Sequence, residues 1–237
     1  VGVMKDNFLI NILTKLELSL YNQADLVIAV THSFKLELQN RGVSADKIEV
    51  VLNGVDVSKY KPLIEKDKGF SNRYQLKGKF VAGYIGTHGL AHALDTIIDT
   101  AILLKGDDDI RIVFAVGGAN RPRLNGLIKK HGLQNVVMIP RQTKEKTQKL
   151  WSLCDISLVT LKNAPLFSTV IPSKIFESMA MKLPIIIAVP EGEATDIIKA
   201  ENSGLIVAPE NPTRLAEAIS KLKRDNDLHE ILAVNSL

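Results

Sequence analysis

The chain has 237 residues, 46% of them hydrophobic and 24% charged, a balance that excludes a disordered or fibrous protein and leaves room for one large domain or one and a half average ones. Thirty Lys and Arg against 26 Asp and Glu give a net charge of +4 without a basic run or interleaved aromatics, so no nucleic acid partner is expected. The longest apolar stretches, such as LPIIIAVP at 183–190, fall well short of the roughly 20 residues that a membrane-spanning helix needs. The lone cysteine, Cys154, cannot pair within the chain and no Cys or His cluster has metal-ligand spacing, so the expectation is a cytoplasmic protein with no metal site.

The first residue is Val, and an amphipathic pattern of Phe8, Ile12, Leu13, Leu16 and Leu20 begins at once, so the chain reads as a piece of something longer. ADLVIAV, SFKLELQNRG and IEVVLNG then give strand, helix and strand, with Gly42 suited to the helix C-cap. From Val55 to Lys79 the chain is polar and irregular, with Pro62 and two glycines. From residue 80 onward the apolar runs FVAGYI, IRIVFAV, VVMIP, ISLVTL, PIIIAV and GLIVAP recur, most followed by a segment of helical period. That alternation predicts a parallel sheet, and runs apolar on nearly every residue predict helices on both of its faces. Leu90, Leu94, Ile97, Ile98 and Ala101 form one helical stripe, and Leu215, Ala218, Ile219 and Leu222 another, the second capped by Asn211 and opened by Pro212. The expected organisation is an α/β chain in which residues 1–60 are the C-terminal remnant of a preceding α/β domain, 61–79 a linker, and 80–237 a doubly wound parallel-sheet, Rossmann-like domain.

Two segments carry candidate chemistry. FVAGYI runs into GTHG, so Gly83, Gly86 and Gly89 stand where a first strand turns into a first helix; glycines there let backbone N–H groups approach a phosphate, or simply make a tight turn. Such spacing also occurs in short-chain dehydrogenase-like enzymes and some nucleotide-sugar epimerases. Against that reading, the second strand ends in Gly117 and Gly118 where an NAD site expects an acidic residue, and no Tyr is followed four residues later by Lys. In IPSKIFESMAMKLPIIIA, residues 171–188, Pro172 and Ser173 begin a helix whose predicted buried face is Ile175, Phe176, Met179 and Ala180, leaving Lys174, Glu177 and Ser178 as its polar residues. A carboxylate at Glu177 can accept two hydrogen bonds from a vicinal diol such as a ribose, or can merely complement a helix N-terminus.

PSKIFESMAMKLPIII resembles the donor-site motif of the family 4 glycosyltransferases, written as Glu, seven residues, then Glu-Ala-Met-Ala. ADLVIAVTHSFKLEL followed by IEVVLNGVDVSKYKP is similar to that family's end-of-first-domain signature, with Asn53, Gly54, Val55 and Asp56 on its Asn-Gly-Val-Asp element. WSLCDISLVTL and NSGLIVAPENPTRLAEAI resemble the elements on either side of the motif, so the likeness covers about residues 21–222. It implies the GT-B architecture of two Rossmann-like domains across a cleft, with the donor domain here and only the tail of the acceptor domain. This sequence departs from the pattern at the first Glu of the pair, which falls on Thr169, and at a usual glycine, which is Lys182. The basic residues that the family sets on the diphosphate fall on Thr87 and His92, a substitution shared with a subgroup resembling bacterial surface-polysaccharide transferases.

Ligands of open α/β sheets bind beyond the strand carboxyl ends, here the loops Thr87 to Gly89, Gly117 to Arg121, Pro140 to Gln142 and Asn163 to Lys174. The resemblance then implies a base read near Arg141 and a ribose on Glu177. It puts the diphosphate over helix N-termini opened by Thr87, His88 and Gly89 and by Ser173, with Lys174 and Arg121 adding charge. The expected function is the donor-binding part of a retaining glycosyltransferase that needs no metal or other cofactor and takes a nucleotide-sugar, a UDP-sugar above others. Its acceptor would be a polysaccharide or lipid-linked glycan bound through the missing domain, with peripheral membrane association of the full-length protein at the inner face. The alternatives are a GT-B-like nucleotide-sugar epimerase and a non-catalytic nucleotide-binding module.

Overall fold

The computed structural model describes residues 8–63 and 65–237, which form two parallel sheets of unequal size. Helix α1 (Phe8–Gln23) precedes the smaller sheet, in which β1 (Val27–Ala29) pairs in parallel with β2 (Ile48–Val50) across helix α2 (His32–Asn40). Thr31 caps α2 by accepting a hydrogen bond from Phe34 N at 3.0 Å, and Gly42 follows its end at φ 91, the left-handed conformation that glycine adopts without strain. The stripe predicted on α1 does not face a core among the described residues: Phe8, Ile12, Leu13, Leu16 and Leu20 are 44% to 80% exposed. Instead Leu18, Tyr21 and Ala24 touch the small core around Leu38 and Ile48, and Glu17 pairs with Arg41 at 2.5 Å.

The stretch expected to be irregular carries a helix, α3 (Lys68–Arg73), because Asp67 caps it through Phe70 N at 2.9 Å and its aromatic residues find partners. Phe70 stacks on Tyr74, and Leu76 just beyond is fully buried in the core of the larger sheet.

The larger sheet has six parallel strands, β3 (Phe80–Thr87), β4 (Ile110–Gly117), β5 (Val136–Ile139), β6 (Ile156–Thr160), β7 (Ile185–Ala188) and β8 (Gly204–Ile206), in the order β5-β4-β3-β6-β7-β8. The chain winds outward from β3 to β5 and then returns to the far side of β3, so winding reverses between β3 and β6. Alternate residues of β3 bury in different cores. Ala82 and Tyr84 pack with α4 (Leu94–Leu103), α5 (Arg121–His131) and α9 (Pro212–Arg224), and Val81 and Ile85 with Leu150 and Trp151 of α6 (Lys144–Trp151). Under β6 and β7, α7 (Lys174–Ala180) and α8 (Glu193–Ala200) close a third core, and α10 (Asn226–Asn235) ends the chain. The doubly wound, Rossmann-like fold is therefore present, and Asn211 caps α9 through Arg214 N at 3.0 Å as the sequence suggests.

Three local expectations change. Leu90 is not on the α4 stripe: a short 3-10 turn occupies Leu90–His92, Ala93 takes φ 46, and α4 begins at Leu94 with Leu94, Ile97, Ile98 and Ala101 buried. Gly83 serves packing within the strand, since a Cβ there would lie 2.2 Å from Cys154 Sγ. On α7 the buried residues are Lys174, Ile175 and Ser178, whereas Phe176, Met179 and Ala180 only half-bury and line an apolar cleft of about 350 Å³ with Val55, Val57 and Leu237. Ser178 can be buried because its hydroxyl is satisfied, at 2.7 Å from Ser157 Oγ and 2.6 Å from Lys174 O.

Candidate functional site

Where winding reverses, the C-terminal end of β3 faces the start of α7 across a cavity of about 330 Å³. Gly86 and Thr87 supply one wall, Ser173, Lys174 and Glu177 the opposite one, and Tyr60, His92 and Thr147 close the rim. This is the crevice in which open α/β sheets bind ligands, since no strand bridges the divergent loops there.

Lys174 is 8% exposed, and its Nζ is fully buried without a hydrogen-bond partner. The amine stands 3.6 Å from the centroid of the Tyr84 ring, against Gly86, where a Cβ would come within 3.2 Å of it. Burial pushes its pKa down to about 7, against the pull of Glu177 one helical turn later. Glu177 is half-buried, and loss of water raises its pKa although the neighbouring Trp151 indole and Lys174 draw it down. The Trp151 N–H is buried and makes no full hydrogen bond. Burial, with Glu177 adding to it, holds the Tyr60 phenol above the usual range.

The other residues named from the sequence lie around this cavity without lining it. The His88 ring is completely buried, 6.0 Å from the Tyr84 ring and 5.8 Å edge-on to Phe114, and burial beside Arg121 brings its pKa to about 4. Its nitrogens make no hydrogen bond, although the Ala115 carbonyl lies near enough to favour the charged ring. The His88 backbone accepts from Asn120 N and donates to Gly117 O, and a side chain at Gly118 would meet that backbone at 2.7 Å. The paired glycines after β4 thus let two loops lie against each other. Gly89 precedes the 3-10 turn, which sets the α4 N-terminus back from the strand end. Arg121 opens α5 and donates to Ile139 O at 3.0 Å, tying α5 to the end of β5, and Arg141 is exposed just beyond that strand. Thus Thr87, Ser173, Lys174 and Glu177 share one cavity, and His88, Gly89, Arg121 and Arg141 stand outside its wall.

Tyr60, Thr147 and Tyr84 were not singled out from the sequence. Tyr60 follows the Asn-Gly-Val-Asp element in a stretch with no periodic pattern, and Tyr84 looks like one more apolar strand position. Burial also lowers the pKa of His92 to about 4, with Lys174 adding to the effect, so this rim residue is neutral near pH 7. Lys182 adopts φ 56, the conformation that makes a glycine usual at that place in the motif. Thr169 ends a 3-10 turn, and its carbonyl accepts from Thr31 Oγ1 at 2.9 Å. Among the described residues no three His, Cys, Asp or Glu side chains stand together as a metal-binding group. Asp107, in the acidic run between α4 and β4, is paired with Lys223 at 2.6 Å.

A family model described as "Glycosyl transferases group 1" matches residues 67–236, and one described as "Glycosyltransferase Family 4" matches residues 4–59. The chain is 27% identical to the probable glycosyltransferase WbjE of Pseudomonas aeruginosa over 93% of its own length and 55% of that protein. It is 25% identical to the alpha-D-kanosaminyltransferase of Streptomyces kanamyceticus over 69% of its length and 42% of that enzyme. It therefore spans about half the length of the curated relatives it matches. Among solved structures, Anabaena HepE in complex with UDP and glucose superposes with a TM-score of 0.81 at 20% identity, covering 94% of this chain and 60% of that one. The C-terminal domain of a group 1 glycosyl transferase, LpcC of Francisella tularensis, gives 0.62 at 22% identity over 77% of this chain and 94% of that one.

Proposed function

The chain belongs to the group 1 glycosyl transferases, and on that premise we propose that it is the donor-binding part of a retaining glycosyltransferase that takes a nucleotide-sugar, with UDP as the nucleotide. The observation that carries this reading is the pairing of Lys174 and Glu177 in one cavity at the reversal of winding: a buried amine without a hydrogen-bond partner beside a half-buried carboxylate. Glu177 would accept the two ribose hydroxyls, and Lys174 would meet the diphosphate, whose charge grows as the glycosidic bond breaks. A cation held in a nearly dry pocket stabilises that charge more than one in water does. The choice of UDP is supported by the ligand of the HepE structure and by the lack of an acidic side chain after β4, where a dinucleotide would place a ribose.

In this reading residues 1–60 close an acceptor-binding domain, 61–79 link it to the donor domain, and 80–237 are the donor domain. The acceptor would be a polysaccharide or lipid-linked glycan, reached in the cytoplasm or at the inner face of the membrane by the longer protein. The names of relatives point the same way, among them a colanic acid biosynthesis glycosyl transferase of Escherichia coli. Among the described residues no helix is long and apolar enough to cross a membrane. A panel of UDP, GDP, ADP and NAD titrated against the chain tests the proposal. UDP is expected to bind best and NAD not at all, and tight NAD binding without UDP would overturn it.

A further inference from the structure

Lys174 presents an imbalance that the packing leaves standing. Its Nζ is fully buried, has no acceptor, and lies over the Tyr84 ring face, beside Gly86 where a Cβ would come within 3.2 Å of it. Tyr84 is itself completely buried, so its ring cannot swing away, and its hydroxyl donates to Thr87 O at 2.9 Å. One side chain thus braces both walls of the cavity: its ring lies under the amine of α7, and its hydroxyl holds the backbone at the end of β3. An ammonium above an aromatic face gains an attraction that strengthens when water is excluded, but the ring satisfies none of its three N–H donors.

We propose that Tyr84 is a positioning residue that holds the Lys174 amine at the inner wall of the cavity as the receptor for a diphosphate, and that the diphosphate is taken up together with a proton. The proposal rests on the donor-site reading above and goes beyond it by naming the residue that sets the amine and the proton that accompanies binding. The groups facing Lys174 are few. Glu177 on its own helix favours the charged form, and Tyr84 is held un-ionised by burial. His88 and His92, from the segment after β3, have pKa values near 4 and are neutral, and the Tyr60 phenol at the rim has its pKa raised by burial and by Glu177. With its pKa at about 7, the amine is largely neutral by pH 8.5, and a bound diphosphate raises its proton affinity. Affinity for a diphosphate should then fall roughly tenfold per pH unit above neutrality, until the pKa of the bound state is reached.

UDP-glucose is the suitable probe because its diphosphate is esterified at both ends, so that neither phosphate titrates near neutrality, and uridine is the control without phosphate. Calorimetry between pH 6.5 and 8.5, in buffers of different ionisation heat, should show proton uptake and weakening affinity for UDP-glucose and a flat response for uridine. Lys174→Met should abolish the pH response, Tyr84→Phe should keep it, and Tyr84→Leu should weaken UDP-glucose roughly tenfold while sparing uridine. Because Tyr84→Leu removes a buried ring and can fail to fold, the contact is also read in the unaltered chain by NMR. There the Lys174 methylene protons next to the amine should be shifted upfield by the ring, and their carbon should titrate near neutrality. UDP-glucose binding that is independent of pH, or undiminished in Lys174→Met, would overturn the proposal while leaving the donor site standing. Absence of binding by both ligands would overturn the donor-site reading and this proposal with it.

Discussion

Lys174 and Glu177 stand one helical turn apart on α7, and burial moves them in opposite directions, the amine down to about 7 and the carboxyl upward. In both cases burial costs the charged form its water, and this outweighs the pull of the groups nearby. For Lys174 the linkage has a definite sign. In the unfolded chain the amine titrates near 10.5 and in the folded one near 7, so between those values the unfolded state binds more protons. Stability from this residue is therefore lost as pH falls toward 7 and recovered as pH rises to about 10. Lys174→Met should accordingly raise the melting temperature by a few degrees at pH 7, at about 2–4 °C per kcal/mol for a chain of this size, with a gain that shrinks at higher pH. Thermal scans at pH 7 and 9.5 check this, and a lower melting temperature for the variant would show that the amine has a partner. Glu177 and Lys174 were legible in the sequence because polar residues interrupt an apolar helix at fixed spacing. Tyr84 was not, since nothing in FVAGYI distinguishes a ring that packs from a ring that also braces a cation.

The elements were legible where local pattern and tertiary burial agree. Each strand of the six-stranded sheet coincides with an apolar run, because a sheet covered on both faces needs apolar residues at every register. The α4 boundary was not legible, since Leu90 keeps the helical spacing but the left-handed Ala93 breaks the helix before it, a choice made by contacts across the fold. There Thr160 Oγ1 donates to His92 O at 2.6 Å, and Lys162 N donates to Ala91 O at 2.9 Å. Short-range pattern likewise could not tell the packing glycine of β3 from a phosphate glycine. Gly83→Ala sets a methyl group 2.2 Å from Cys154 Sγ and should destabilise the chain by about 1–3 kcal/mol. Most of that loss should be absent when the same change is made in a Cys154→Ala background, where the clashing sulfur is gone. Equal losses in the two backgrounds, measured by denaturant unfolding, would remove this account of Gly83.

At the scale of the whole molecule, the two sheets meet through specific bonds as well as along the chain. Glu193, at the start of α8, accepts from His32 N at 3.0 Å and Ser33 N at 2.5 Å, a carboxylate on the N-terminus of α2. Together with the bond from Thr31 to Thr169, this fixes the smaller sheet beside the segment that leads into α7. Contacts between residues so far apart in sequence leave no local signature, which is why reading the chain could order the elements but not show how the site is held. Among the described residues no acidic side chains that could share a cation are gathered at the cavity, and Asp107 is engaged by Lys223. UDP affinity is therefore expected to survive EDTA, and a loss restored by manganese would contradict that.

The central claim, that α7 presents a nucleotide-binding carboxylate at the reversal of winding, is tested most directly by titrating UDP calorimetrically into the chain and into Glu177→Gln, with a melting curve for each. A carboxylate that accepts two ribose hydroxyls loses charge-assisted hydrogen bonding as an amide, so affinity should fall by about 1.5–3 kcal/mol, roughly 10- to 150-fold, with the melting temperature little changed. Unchanged UDP affinity together with a lowered melting temperature would make Glu177 only a complement to its helix and contradict the claim.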